Sequence, residues 1–347
     1  MKLQYILLMA LIPYMGDSQG FIQWQDELDL EQIAPNTKQK IWLKMIDNGM
    51  SHPVTIPVII VRGEQPEPVL GLIAAIHGNE LNGIKVIQEI VDEIDEKQFQ
   101  GTLIAIPGIN AISIPQHQRR YIDDEDLNRL FPGKEKGNRS QQYAWQINQK
   151  ILSQLDYLVD LHTASFGREN SLYVRAALQN DAMNKMAMLQ DADIILNSNG
   201  TPSTSTSSSS TRTMRAEAML KGIPCITVEY GNPQVYQPEM IRRGKTGIKN
   251  IMAWLEMTDQ AIVAPDEAPV HCKKSYWIYV EEGGYLEVLV DLKQKLKKGD
   301  PIAIMRNPFG DVLNTYYCPE DGIVIGKSSN PINMNGGRII HLGIYMD

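Results

Sequence analysis

The chain is poor in the features that mark several common protein classes. It has only three cysteines, Cys225, Cys272 and Cys318, in 347 residues. Their number is odd and no pair has CxxC spacing, which argues against a disulfide framework and against a cysteine-rich zinc site. Each is expected to act as a small buried hydrophobe. No apolar run reaches the roughly 18–20 residues needed to span a bilayer. No basic stripe is present and the formal net charge is −8, so nucleic acid is not an expected partner.

What is present is enough apolar residue, 43% of the chain, for a large core, and a length beyond one typical domain. Two domains are expected, residues 33–259 and 266–347, joined by a linker at Ala264-Pro-Asp-Glu-Ala-Pro269. Residues 1–20 have the layout of a signal peptide: Lys2, an apolar stretch from Leu3 to Met15, then Gly16, Ser18 and Gly20. Gln4 and Tyr5 and the lack of a clean A-x-A fit that layout less well. The expected location is therefore periplasmic or secreted, the alternative being a cytoplasmic protein with a surface-packed N-terminal extension.

Strand and helix patterns alternate along the first domain. Residues 40–62 read as two strands around a turn at Asp47-Asn-Gly, and Val69–Ile76 and Gly101–Pro107 as buried strands. Asn82–Ile94 has helical spacing. Ser140–Leu155 is predicted as a helix with Ser140 at its N-cap. Further strands are expected at Tyr157–Leu161, Asn170–Val174 and Pro224–Glu229, with helices at Asp181–Leu189, Met214–Lys221 and Pro238–Met257. This is an α/β domain with a mainly parallel sheet. Beyond Asp259 short strands separated by Gly-Gly, Gly-Asp and Asp-Gly turns predict a small all-β domain. Thr201–Thr213 is Ser/Thr-rich and reads as a surface loop, or as a mobile wall of a site carrying Arg212 or Arg215.

In a parallel sheet ligands bind beyond the C-terminal ends of the strands. Three polar residues sit at such ends. Gly71-Leu-Ile-Ala-Ala-Ile-His77-Gly-Asn-Glu80 closes one strand, Tyr157-Leu-Val-Asp160-Leu-His162 another, and Cys225-Ile-Thr-Val-Glu229 a third. His77, Glu80 and His162 form the ligand set of a catalytic zinc with an open fourth position. A zinc there activates water and polarises a carbonyl. Asp160 is placed to orient His162 or to pair with a backbone N–H. A carboxylate left unpaired at the end of an apolar strand is costly, so Glu229 is either a general base and acid for the reacting water or an arginine's partner.

Asp126-Leu-Asn128-Arg129-Leu-Phe131-Pro132-Gly133 is the second motif. Arginine grips a carboxylate with two hydrogen bonds and an Asn amide can add a third, so Asn128 and Arg129 would anchor an anionic end of a substrate. The structural alternative is a capped turn with a surface ion pair. Arg119-Arg120-Tyr121 offers a further cation for a carbonyl or its oxyanion.

Taken in order, His77-Gly-Asn-Glu80, Asp126–Gly133, Asp160-Leu-His162-Thr and Val228-Glu229-Tyr-Gly231 resemble the succinylglutamate desuccinylase/aspartoacylase family, which is related to the zinc carboxypeptidases. The resemblance runs from about Ile33 to the C-terminus. It implies a zinc carboxypeptidase-like mixed sheet flanked by helices, plus a small β-rich C-terminal domain. It also implies one Zn2+ per chain on His77, Glu80 and His162, Glu229 as promoter of the water, and Asn128 and Arg129 on the substrate carboxylate. Arg120 falls in the family segment whose arginine contacts the carbonyl, with Arg119 its neighbouring alternative. The segment is one residue longer than in aspartoacylase-like members.

The reading is a zinc-dependent deacylase of N-acyl amino acids, with a small carboxylate-bearing substrate as partner. Its rivals are a metallocarboxypeptidase or cell-wall peptide amidase, and a non-catalytic protein that binds zinc or a carboxylate ligand. The C-terminal region would position a loop over the cleft or mediate homo-oligomerisation.

Overall fold

The computed structural model describes residues 24–200 and 211–346. The signal-like segment and most of the Ser/Thr-rich stretch lie outside them. The chain opens with β1 (Trp24–Gln25), β2 (Thr37–Asp47), β3 (Pro53–Arg62), β4 (Val69–Ala74), α1 (Asn82–Glu93) and β5 (Thr102–Ile106). It continues through α2 (Arg139–Lys150), β6 (Tyr157–His162), β7 (Arg168–Asn170), β8 (Leu172–Ala176), α3 (Asp181–Met188) and β9 (Ile194–Asn197). The last helices frame one strand: α4 (Met214–Leu220), β10 (Cys225–Tyr230) and α5 (Pro238–Trp254). The remainder is β11 (Val270–Tyr279), β12 (Gly284–Val288), β13 (Lys295–Leu296), β14 (Pro301–Arg306), β15 (Val312–Tyr317), β16 (Gly322–Ser328), β17 (Ile332–Asn333) and β18 (Arg338–Tyr345).

One 14-stranded mixed sheet runs through the molecule in the order β1-β2-β3-β5-β4-β6-β10-β8-β9-β11-β18-β16-β13, with β7 on β16. Its centre, β5-β4-β6-β10, is parallel. Strands β4, β5 and β6 are near-continuous Val, Leu, Ile and Ala because both their faces are covered. One core cluster lies under α1, α3 and α5, the other under α2 and α4. In α1 the residues Val86, Ile87, Ile90 and Val91 are buried; each large side chain contributes roughly 1.5–3 kcal/mol by leaving water. The Lys38 ammonium caps this helix's C-terminal end, donating to the Val91 carbonyl at 2.7 Å and the Ile94 carbonyl at 2.9 Å.

Three expectations need correction. Helix α2 is capped by Asn138, not Ser140: the Asn138 side chain accepts from Gln141 N–H while the Gln141 side chain accepts from Asn138 N–H. Ser140 is one turn position further in, donating from its backbone to Asp123. The expected strand at 170–174 is divided at Ser171, so that β7 pairs with β16 and β8 with β10. Finally, the C-terminal region is rich in strands as expected, but it is continuous with the central sheet. Strand β11 lies parallel to β9 and antiparallel to β18. Only β15-β14-β12-β17 forms a separate antiparallel sheet, over a core of its own.

Candidate active site

A cavity of about 710 Å³ opens at the C-terminal ends of the parallel strands, and His77, Glu80, His162 and Glu229 all line it. The loop after β4 is what brings the first two there. Ala75 adopts a positive φ of 59° and turns the chain off the strand. The Asn110 amide ties down the Ile76 carbonyl at 3.0 Å, and Glu80 N–H closes a turn onto the His77 carbonyl at 3.1 Å. Gly78 is required by this turn, because a Cβ there would fall 2.3 Å from the Ser113 backbone. His162 is the last residue of β6, and on the adjacent parallel strand β10 it stands directly opposite Glu229.

His77, Glu80 and His162 are buried, and their ligand atoms lie within 4.8 Å of one another. The two imidazoles address the same carboxylate: His77 Nδ1 is 2.9 Å from Glu80 Oε1, and His162 Nδ1 is 2.8 Å from Glu80 Oε2. Each ring is backed by an aspartate on its other nitrogen. Asp126 Oδ1 lies 3.1 Å from His77 Nε2, and Asp160 Oδ2 lies 3.0 Å from His162 Nε2. The Asp160 approach is off the N–H direction, so it is a charge contact rather than a directed hydrogen bond. Metal-bound histidines are characteristically oriented by carboxylates in this way. The donor set therefore fits a divalent metal of the zinc type: two imidazoles and one carboxylate, converging in a buried pocket.

Charge is distributed to match. Burial alone would raise the Glu80 carboxyl, but His77 and His162 hold it well below the usual range. Burial also opposes ionisation of Asp126, yet the His77 hydrogen bond and the Arg119 charge keep it strongly depressed. For His162, burial works against the cation and Asp160 and Glu80 overcome it, raising its pKa. Glu229 is the exception, since burial pushes its carboxyl upward. The Asn170 amide donates to Glu229 Oε2 at 3.2 Å and fixes the side chain.

The turn Leu127–Arg129 carries the second group. Asp126 caps it, accepting from Asn128 N–H at 3.0 Å. Asn128 Oδ1 accepts from Met214 N–H at the start of α4 at 2.8 Å, so what Asn128 can offer the cavity is its NH2 group. Arg129 also lines the cavity, with one guanidinium N–H donated to the Asn128 carbonyl at 2.6 Å.

Arg120 is not where the sequence reading put it. Its side chain is 56% exposed and lies 3.7 Å from Asp124 Oδ1, outside the cavity. The neighbouring Arg119 lines the cavity instead. Its guanidinium donates to Glu80 Oε1 at 3.1 Å, to Asp126 Oδ2 at 2.9 Å and to the Ser165 hydroxyl. The local turn decides between the two: the Arg120 carbonyl accepts from the Ser113 hydroxyl at 2.8 Å, and the extra residue in this segment rotates Arg120 outward. Of the two arginines proposed for the Ser/Thr-rich wall, Arg215 lines the cavity and Arg212 pairs with Glu217 at 2.7 Å.

Several cavity residues went unmarked in the sequence. Ser165 donates to Glu80 Oε1 at 2.7 Å, and Thr163 N–H reaches Glu80 Oε2 at 3.3 Å. Arg168, Asn170, Tyr173 and Arg175 come from β7 and β8, while Trp277, Arg338 and His341 come from β11 and β18. Ser165 lay three residues beyond His162, which was a usable signal. The C-terminal residues carried none, because only long-range strand pairing brings them in.

Residues 66–255, more than half the chain, match the succinylglutamate desuccinylase/aspartoacylase catalytic domain. The chain belongs to that family. It is 24% identical over 302 residues to the N-alpha-acetyl-L-2,4-diaminobutyric acid deacetylase of Halomonas elongata, covering 83% of this chain and 84% of that protein. Among solved structures, the fold is similar to that of the product-bound ectoine utilization protein EutE (DoeB) from Ruegeria pomeroyi. The TM-score is 0.80 at 20% identity, over 90% of this chain and 97% of that one. The succinylglutamate desuccinylase/aspartoacylase from Rhodobacter sphaeroides also has a TM-score of 0.80 at 20% identity, over 93% and 99% of the two chains.

Proposed function

We propose that the protein is a zinc-dependent hydrolase that cleaves the amide bond of an N-acyl amino acid. The observation that carries this reading is the convergence of His77, Glu80 and His162 beside Glu229, which faces His162 across paired strands. Family membership and the deacetylase relative support the reaction class. The cavity volume is that of a small-molecule site, which favours an acyl amino acid over a long peptide.

His77, Glu80 and His162 would hold the metal, with Asp126 and Asp160 fixing the two rings. When bound, zinc supplies Lewis acidity toward a carbonyl and eases deprotonation of water. Asn128, through its NH2 group, and Arg129 receive the substrate's α-carboxylate and set its register. Glu229, whose carboxyl is pushed upward by burial, accepts a proton as the water oxygen bonds to the acyl carbon. Arg119 lies beside Glu80 and donates to the oxygen on which negative charge develops. As the C–N bond breaks, Glu229 passes that proton to the departing amine. The products are a carboxylic acid and a free amino acid.

The test is turnover of a panel of N-acyl amino acids against short peptides by the zinc-loaded protein. It should include N-acetyl-diaminobutyrate, the substrate type named for the Halomonas relative. Hydrolysis confined to acyl amino acids supports the reading, and hydrolysis confined to peptides replaces it with the carboxypeptidase alternative. The proposal also assigns export to residues 1–20; sequencing the N-terminus of the mature protein checks their removal.

A further inference from the structure

The cavity is more cationic than one α-carboxylate requires. Six arginines line it, Arg119, Arg129, Arg168, Arg175, Arg215 and Arg338, against the carboxylates of Glu80, Asp160 and Glu229. In a chain of net charge −8 this is a local concentration of positive charge. Among the described residues only Arg119 of the six has a carboxylate within ion-pair distance. Three of the others have identifiable work. Arg129 is assigned to the α-carboxylate, Arg215 donates to the Ser198 carbonyl at 2.8 Å, and Arg175 donates to the Tyr173 hydroxyl at 2.8 Å.

Arg168 and Arg338 remain. They belong to different parts of the chain, β7 and β18, and meet on one indole. Their guanidinium carbons lie 5.9 Å and 5.4 Å from the Trp277 ring centroid. The indole is itself held by His341, stacked at 5.2 Å with an interplanar angle of 11°. His341 is fixed in turn by a 2.8 Å hydrogen bond with the Ser275 hydroxyl. Burial and the surrounding Arg175, Arg168 and Arg338 push His341 well below its usual pKa, so it adds no further charge to the wall. Two cations gathered on one aromatic platform repel each other, and an anion between them relieves that repulsion.

We propose that Arg168 and Arg338, braced on Trp277, form a second anion subsite for a carboxylate at the end of the substrate remote from the α-carboxylate. The inference rests on the cavity being the substrate site and narrows the substrate to one carrying at least two anionic groups. The second carboxylate can belong to the acyl chain or to an acidic amino-acid side chain; the chemistry of recognition is the same.

Calorimetric titration of the zinc-loaded protein with succinate, glutarate, adipate and pimelate, against butyrate and hexanoate, tests this without needing turnover. The best dicarboxylate is expected to bind about tenfold or more tightly than the monocarboxylates, and Arg168→Gln and Arg338→Gln are each expected to erase most of that margin. Equal affinity of the two series in the unaltered protein overturns the subsite even where a variant fails to fold. A margin that survives both substitutions also overturns it. Kinetics then separate the sources by pairing N-succinyl with N-succinamoyl amino acids, and N-acetylglutamate with N-acetylglutamine. Preference for the charged member of the first pair assigns the acyl chain, and of the second pair the side chain. Preference in neither overturns the proposal. Because the titration is independent of catalysis, failure of the hydrolase reading and failure of this subsite are told apart.

Discussion

Asp126 Oδ1 lies 3.1 Å from His77 Nε2, and the same oxygen accepts the Asn128 N–H at 3.0 Å. One carboxylate thus orients a metal-ligand histidine and caps the turn that presents the substrate anchors. Asp126→Ala is expected to lower zinc affinity about 10–100-fold through loss of the histidine's partner. It also removes a turn cap, at a cost of about 1 kcal/mol. Chelator competition reads the first effect and thermal unfolding the second. Unchanged zinc affinity would show that His77 needs no such support.

Glu229→Gln keeps the side chain's shape and its neighbour Asn170 but cannot take a proton. Zinc content is expected to stay near the unaltered level while kcat falls about 10²–10⁴-fold. Full activity would remove Glu229 from the proton path.

Arg119 and Arg120 make a paired test. Arg119→Gln is expected to lower kcat about 100-fold or more, as loss of an oxyanion donor does. Arg119→Lys should not restore it, since the guanidinium bridges Glu80 and Asp126 in a geometry an ammonium cannot copy. Arg120→Gln, at an exposed position, should leave stability within about 0.5 kcal/mol. The reverse pattern in kcat would restore the assignment read from the sequence.

The difference between those two arginines shows where sequence reading stops. His77, Glu80, His162 and Glu229 were legible because each follows an apolar strand, and strand ends in a parallel sheet point at one place. Arg119 against Arg120 depends on how one loop turns, and hydrophobic periodicity says nothing about a loop. The Asn138 cap was missed for a related reason: Ser140 is an equally good capping residue and sits nearer the apolar positions of α2. The β character of residues 270–345 was visible from its turns, but not that β11 would pair with β9, nor that Trp277 and Arg338 would thereby reach the cavity. Strand partners far apart in sequence leave no local mark.

That continuity of the sheet has a consequence for unfolding. Because β11 is hydrogen-bonded to β9 and β16 to β7, the two regions should melt in one cooperative transition. Truncation after residue 265 should expose the β9 edge and give an unstable or aggregating chain. Two resolved transitions in calorimetry, or a stable active truncation, would mean that the C-terminal region is an independent unit.

His341 gives a stability dependence on pH. Its folded pKa is depressed by burial and by Arg175, Arg168 and Arg338, so it stays neutral in the fold. Below its unfolded pKa of about 6.5 the unfolded chain binds a proton that the folded chain does not, and stability falls with pH. Above about pH 6.5 both states are neutral and this contribution is flat. His341→Gln should give a shallower fall of Tm between roughly pH 6.5 and 5. An unchanged slope would show that His341 is not part of that dependence.

Metal content of the purified protein, measured alongside His162→Ala, tests the central claim most directly. The account predicts about one zinc per chain, bound at neutral pH and lost in the variant. Protein that takes up no zinc when it is offered, or a His162→Ala variant that binds it as well as the unaltered chain, would contradict the account.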